Sequence, residues 1–409
     1  MKHVILGVGA AGITAAKTIR TLRSDDEIVM ISTDESVHSR CMLHKFIGNT
    51  RSVAELSFVP DGFFANNNIR HCGGVSVSGI DPEQKVVHFG SETESYDRLL
   101  IATGASGTIP PISGLQGAKH VYTLSSLSDA KAIRTQAAKT DHIVIIGAGL
   151  VGLDAAYGLM EVGKMPVVVE MKDSILSSNL DARAAATYQA EFEKAGCLFR
   201  LGSKVSNVIC DASGAVTAIQ LDNAEQLPCE LLILATGVRP NIGFLENSGI
   251  AHERGVTVDE YLATNVPYVF AAGDVTGLSQ NWPSATEQGE IAAYNMCGVQ
   301  TASDNIFLLQ NTVNFFGIPS LSVGVIAPAE SDEVYCLESH NKYQKVIIRN
   351  GVPLGVILQG DISRSGFWLY LIKNKVNISG ISKPIWKISF ADAYSLEANG
   401  EYKWDVSSA

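Results

Sequence analysis

The residues best placed for chemistry are two glycine triplets and the acids that follow them. Gly7-Val8-Gly9-Ala10-Ala11-Gly12 comes after the apolar run Val4-Ile5-Leu6 and leads into Ile13-Thr14-Ala15-Ala16-Lys17. That order reads as strand, tight turn and helix. Gly7 permits the turn, Gly9 lets a pyrophosphate approach the backbone, and Gly12 lets helix and strand pack closely. An anion at Ala10 and Ala11 then meets free N–H groups and the positive end of the helix dipole. Ile143-Val144-Ile145-Ile146-Gly147-Ala148-Gly149-Leu150-Val151-Gly152 repeats the arrangement. Its helix is expected over Leu153–Val162 and its next strand over Pro166–Glu170. Glu170 lies 23 residues beyond Gly147. That is close to the spacing at which a carboxylate accepts both ribose hydroxyls of NAD and repels the 2′-phosphate of NADP. Lys172 softens the discrimination, so NADH is favoured over NADPH without excluding it. Two nucleotide sites in one chain point to electron transfer between two bound nucleotides.

The elements that must position these residues follow the same duplicated plan. In the first copy the strand Glu27–Ile31 ends in Ser32 instead of an acid, which leaves Asp34 and Glu35 as the candidates to hold an adenosine ribose. A polar and basic loop, His38-Ser39-Arg40-Cys41-Met42-Leu43-His44-Lys45-Phe46-Ile47-Gly48, enters the next helix. Apolar strands run into Ala102-Thr103-Gly104 and again into Ala235-Thr236-Gly237, as suits a chain passing close beside a nucleotide. Gly107 to Gly117 reads as a linker. Further on, Val269-Phe270-Ala271-Ala272-Gly273-Asp274 sets an acid just past a buried strand, where it can accept a hydrogen bond from the ribityl chain of a flavin. The helix expected from Ala285 to Asn295 carries Glu287 and Gln288 near its start. Beyond Asp304 the glycine motifs stop, and Asn350-Gly351 between two strand-like runs suits a type I′ hairpin in an α+β domain.

Composition narrows the classes. The 409 residues are enough for two or three cores. With 31 Lys and Arg against 42 Asp and Glu, net charge −11, there is no basic surface for nucleic acid. Neither a signal-peptide core nor an apolar run of membrane-spanning length is evident, so a cytoplasmic location is expected. The seven cysteines are widely spaced and include no Cys-x-x-Cys, which argues against a disulfide framework. His and Cys residues do not cluster at metal-ligand spacings.

The two glycine turns, the two Ala-Thr-Gly strands and the Ala-Ala-Gly-Asp strand, in this order, resemble the FAD-dependent pyridine nucleotide:disulfide oxidoreductase superfamily over nearly the whole chain. The resemblance implies an α/β fold with two Rossmann-like nucleotide-binding domains, one inserted in the other, and a C-terminal α+β domain. Residues 1–110 and 241–304 would form a discontinuous FAD domain, 111–240 the NAD domain, and 305–409 an interface domain. Gly7, Gly9, Gly12, Arg40, Asp274 and Gln288 would then hold FAD, with Gly273 and Glu287 beside them. Gly147, Gly149, Leu150, Val151, Gly152 and Glu170 would hold NADH.

Within the superfamily, two patterns overlap at the same loop. Cys41, Leu43, Phe46, Ile47 and Gly48 are similar to single-cysteine reductases of disulfides, persulfides or oxygen. Arg40, Leu43 and Lys45 are similar to rubredoxin reductases, ferredoxin reductases and the amino-terminal part of nitrite reductase. The resemblance to this second group implies a lysine near the flavin, Lys45, paired with an acid after the second glycine turn, here Asp154. The segments Asn314–Pro319 and Leu354–Asp361 agree with it. An FAD enzyme passing electrons from NADH to a rubredoxin-like or iron–sulfur protein or subunit is therefore expected. A Cys41-based reductase and an NADH-oxidising docking subunit of a larger complex are the alternatives, and both a homodimer and a hetero-complex are compatible.

Overall fold

A computed structural model describes residues 1–303, 308–392 and 395–403, so the expected boundary at Asp304 lies outside the described residues. Contacts divide the chain into two compact units. One takes Met1–Gly147, Val151–Val169 and the chain from Cys197 through the helix Trp282–Met296; the other takes Ala148–Leu150, Glu170–Gly196 and the chain from Leu308.

The first unit holds two five-stranded sheets whose pairings are all parallel. One runs in the order Val269–Ala271, Arg98–Ile101, Lys2–Leu6, Glu27–Ile31, Ile69–Cys72. Val4, Ile5 and Leu6 in its middle strand are fully buried. A strand covered on both faces needs such an unbroken apolar run. Ile5, Met30 and Leu100 face a core with the helices Ala10–Leu22 and Trp282–Met296. Val4, Leu6, Val29 and Ile101 face another core shared with the antiparallel strands Val77–Asp81 and Val86–Phe89. The strand Val269–Ala271 joins this sheet from far along the sequence, in parallel with Arg98–Ile101.

The other parallel sheet runs Leu198–Arg200, Val167–Val169, Ile143–Ile146, Leu231–Leu234, Val121–Thr123. Its glycine turn opens the helix Leu150–Glu161, three residues earlier than expected. Gly152 lies inside that helix, where a side chain would collide with the Gly147 carbonyl. The expected linker begins in a short strand, Ala105–Gly107, that pairs antiparallel with Val238–Pro240, so the two chain connections between the sheets run side by side. Together these features make a mixed α/β fold with two Rossmann-like sheets and an α+β carboxy-terminal part.

In the second unit five antiparallel strands run Gln310–Phe315, Ile318–Gly324, Val352–Gln359, Lys342–Arg349, Glu333–Ser339. The helix Ser365–Lys373 covers them with Trp368 and Leu371. Asn350 and Gly351 have φ of 50° and 77°, both positive, as a type I′ turn requires. The helix Ala182–Lys194 belongs here because its buried polar groups are satisfied by this sheet. Tyr188 Oη donates to the Ile318 carbonyl at 2.5 Å, and Gln359 Nε2 donates to the Ala184 carbonyl at 3.0 Å.

Candidate active site

The two glycine turns share one geometry. Gly7 N donates to the Ile31 carbonyl at 2.7 Å and Gly147 N to that of Val169 at 2.8 Å. Gly7 and Gly147 have φ of 112° and 104°, which L side chains rarely adopt. A Cβ at Gly7 would collide with the Ala102 carbonyl, and one at Gly147 with that of Ala235. Both Ala-Thr-Gly segments therefore press against the turns, as their sequence suggested. Gly12 and Gly152 would likewise strike the carbonyls of Gly7 and Gly147. By contrast, a Cβ at Gly9 or Gly149 meets nothing within 4 Å, so the space beside each middle glycine is open, as the expected approach of a pyrophosphate needs. Ala10 and Leu150 begin the two helices. The threonines have a use the sequence did not disclose. Thr103 Oγ1 donates to the Asn241 carbonyl at 2.9 Å and Thr236 Oγ1 to the Thr108 carbonyl at 3.0 Å, so each ties down a chain connection.

Around the first turn the side chains are drawn from distant segments. Arg40 Nη2 donates to Asp34 at 3.0 Å and lies within electrostatic reach of Asp274. Burial pushes the Asp274 carboxyl up to about 6, partly offset by Arg40. Glu35, the other ribose candidate, is exposed. The fully buried Gln288 accepts from Gly273 N at 2.8 Å, while its Nε2 is buried with no partner among the described residues. Glu287 is half-buried on the same helix.

At Lys45 the arrangement differs from the expected pair. Lys45 Nζ meets Glu161 at 3.3 Å and stands 5.0 Å from the Tyr157 ring centre. Asp154 faces Nδ1 of His44 at 3.6 Å instead. The aspartate is one methylene shorter than the glutamate the resemblance implied, and the longer Glu161 side chain takes the ammonium. Burial pushes Asp154 up to about 8, with Lys45 pulling it down, and burial together with Lys45 pulls His44 down to about 4. Cys41 is accessible at its surface, but protein mass around the cleft and then the Asp154 and Asp274 carboxyls push its thiol up to about 11. Glu161 and Tyr157 are the residues sequence reasoning missed.

At the second turn Glu170 ends the strand Val167–Val169, and each of its carboxylate oxygens already has a backbone donor. Ala148 N donates to Oε2 at 2.8 Å and Lys172 N to Oε1 at 3.0 Å. The carboxylate is thus held in place, with lone pairs left for two hydroxyls.

Two Rossmann-like sheets, each ending in a glycine turn, define a protein that binds two nucleotides. The chain belongs to the pyridine nucleotide-disulphide oxidoreductase family, which matches residues 1–289. The rubredoxin NAD+ reductase C-terminal domain matches residues 310–376. The epsilon subunit of the NADH-dependent phenylglyoxylate dehydrogenase of Aromatoleum evansii is 30% identical over 92% of this chain and 93% of that one. The nitrite reductase [NAD(P)H] of Bacillus subtilis (strain 168) is 27% identical over 97% of this chain, which spans about half, 49%, of the longer enzyme. Among solved structures, the putidaredoxin reductase of the covalent putidaredoxin reductase–putidaredoxin complex has a TM-score of 0.81 at 22% identity, covering 92% and 94% of the two chains. The protein is an oxidoreductase whose cofactors are FAD and NAD(H). The residues present fit them: the open spaces at Gly9 and Gly149, the unpartnered amide of Gln288, the half-buried Asp274 and the anchored Glu170 are groups that a flavin and a dinucleotide would satisfy. No helix among the described residues is long and apolar enough to cross a membrane.

Proposed function

We propose that the protein oxidises NADH and passes the electrons, through FAD, one at a time to a small rubredoxin-like or iron–sulfur protein or subunit. The observation that carries this reading is the match of residues 310–376 to the rubredoxin NAD+ reductase C-terminal domain. The exposed Cys41 agrees with it: its surroundings and the Asp154 and Asp274 carboxyls push its thiol up to about 11, which disfavours the thiolate. A reductase of disulfides or persulfides needs a thiolate at that place. FAD, when bound, takes a hydride from NADH and can release electrons singly. The chain's own residues bind and orient. Glu170 holds the ribose of NADH and disfavours a 2′-phosphate. Arg40, Asp274 and Gln288 hold the flavin's polar groups, and Lys45 supplies the cation of the cleft.

One anaerobic equivalent of NADH tests the reading. Expected are simple bleaching of the flavin, no long-wavelength thiolate-to-flavin band, and unchanged reduction of a rubredoxin-type acceptor in Cys41→Ser. A band that disappears in Cys41→Ser would transfer the assignment to the cysteine-based reductase.

A second reading has support of its own, since one relative matched along nearly the full length of both chains is a subunit. As a docking subunit, the tagged chain would co-purify with an iron–sulfur partner from its native cells. Isolation of a lone chain that reduces a free carrier protein at full rate would oppose that reading.

A further inference from the structure

The helix Leu150–Glu161 presents Asp154, Tyr157 and Glu161 at positions i, i+3 and i+7, which lie along one face. The short helix Leu43–Ile47 rests against it because Gly158 has no side chain: a Cβ there would collide with the His44 carbonyl. At the end of that short helix, a Cβ on Gly48 would collide with Oε2 of Glu161 and stand 3.1 Å from its Cβ. Gly48 has φ −76°, which any residue adopts, so the backbone does not require glycine there. A side chain there would instead displace the Glu161 carboxylate and stand 3.1 Å from the Gly158 carbonyl. Lys45 extends over Tyr157 with its ammonium on Glu161, and its charge still reaches Asp154.

We propose that Glu161 is a positioning residue that competes with Asp154 for the single ammonium of Lys45, and by holding it sets the charge on the redox face of the cleft. The inference rests on reading this cleft as the flavin site. Its physical basis is the cost of a partly desolvated carboxylate without a close cation: the Asp154 side chain, 28% exposed, faces Nδ1 of His44 at 3.6 Å while the Lys45 ammonium sits on Glu161. With its ammonium on Glu161, Lys45 acts on Asp154 only from a distance, and the acid faces His44, which burial and Lys45 keep neutral, so its carboxyl is pushed up. A neutral Asp154 leaves Cys41 facing one less negative charge. The titratable and charged neighbours in this competition are His44, Cys41, Tyr157 and Glu161, with Arg51 acting on His44 and Asp274 on Cys41. The Lys45–Glu161 pair keeps water contact, its side chains being 29% and 22% exposed. Such pairs are weak, so the balance is close enough to be reversed.

The test is an infrared pH titration of the flavin-bound protein that follows the protonated carboxyl of Asp154, assigned as the band lost in Asp154→Asn. Glu161→Gln is nearly isosteric and frees Lys45, so the Asp154 midpoint should fall by roughly 1–3 pH units, the usual effect of a cation within a few ångströms. Gly48→Ala, which expels the Glu161 carboxylate, should shift it in the same direction. In a Lys45→Met background Glu161→Gln should have no effect. Flavin absorbance per chain checks that each variant is folded. An Asp154 midpoint unchanged in Glu161→Gln, or a shift that persists without Lys45, would overturn the proposal. The titration needs no electron acceptor. A protein that shows the shift but reduces no rubredoxin-type carrier overturns the proposed function alone, whereas an unshifted midpoint in a competent reductase overturns this inference alone.

Discussion

The turns at Gly7–Gly12 and Gly147–Gly152 use the same bonds at one end and different chemistry at the other. At the phosphate end each has a left-handed first glycine, an Ala-Thr-Gly carbonyl where its Cβ would stand, and an open space at the middle glycine. At the ribose end the second turn ends in Glu170, bonded back to Ala148. The first ends in the buried Ser32, whose hydroxyl donates to the Asp34 carbonyl at 2.6 Å and lies 3.0 Å from Nε2 of His71, while the nearest acid is held by Arg40. On the proposed reading, backbone recognises phosphate, which every dinucleotide carries, so that half of the site repeats, and side chains distinguish the nucleotides, so that half diverges.

The largest expected effects come from the shared half. Gly12→Ala and Gly152→Ala each force a Cβ into a backbone carbonyl, which cannot move aside as a flexible side chain can. Overpacking of this kind costs about 1–3 kcal/mol, occasionally more. Gly12→Ala should purify with little flavin. Gly152→Ala should keep its flavin yet lose most of its reduction by NADH. Absorbance per chain and stopped-flow reduction separate the two outcomes, and an equal loss of flavin in both would break the comparison. Gly9→Ala and Gly149→Ala have room for the methyl in the free protein and should lower affinity for the respective nucleotide with little change in melting temperature.

Glu170→Ala comes next. It removes the charged acceptor of the Ala148 and Lys172 N–H groups, an interaction of about 1.5–3 kcal/mol for a hydrogen bond to a charged group. KM for NADH should rise at least tenfold, with flavin content unchanged and the preference for NADH over NADPH reduced. A KM that does not move would remove Glu170 from the site.

A smaller effect distinguishes the clefts by pH. Asp154 holds its proton to about pH 8 in the folded chain against an ordinary value of 3.8, so stability falls as pH rises through that interval. Asp274, up at about 6, acts in the same direction only at lower pH. His44, down at about 4 from 6.5, acts oppositely, because the unfolded chain takes up the proton first. Between about pH 6.5 and 8 the Asp154 contribution stands apart from these two. The flavin-stripped protein should therefore lose stability across that window, by at most about 1.4 kcal/mol per unit. Asp154→Asn should flatten the slope; thermal melts across the window decide it.

What the sequence disclosed follows the same division. Local signals marked both turns, both Ala-Thr-Gly strands and the Asn350-Gly351 hairpin, since glycine geometry and apolar runs act within a few residues. The Lys45–Glu161 pair was not legible, because its partners lie 116 residues apart and meet only after two helices pack. A trace of it was present. A glycine inside a helix costs about 1 kcal/mol against alanine, and Gly158 sits within Leu150–Glu161, which signals a close neighbour without naming it. The place of the helix Ala182–Lys194 was hidden in the same way. Asp181 caps the helix by accepting from Ala184 N at 3.0 Å, and it also accepts from Tyr343 Oη at 2.7 Å and Lys345 Nζ at 3.0 Å.

Ser32→Ala is the smallest expected change and the sharpest test of divergence at the ribose end. If the serine were a shortened substitute for the missing acid, its loss would weaken FAD binding as strongly as Glu170→Ala weakens NADH binding. The geometry argues otherwise. The hydroxyl is buried and its contacts are to Asp34 and His71, so it shapes the loop that carries Asp34 toward Arg40. Removing it should lower stability by about 0.5–1.5 kcal/mol, as for one hydrogen bond, and FAD affinity by no more than a few-fold. Asp34→Asn should weaken FAD more than Ser32→Ala does, because it removes the charge that Arg40 holds. Equilibrium dialysis of FAD against both variants gives the order. A stronger effect at Ser32 than at Asp34 would mean that the first turn uses its strand-end residue directly, as the second uses Glu170.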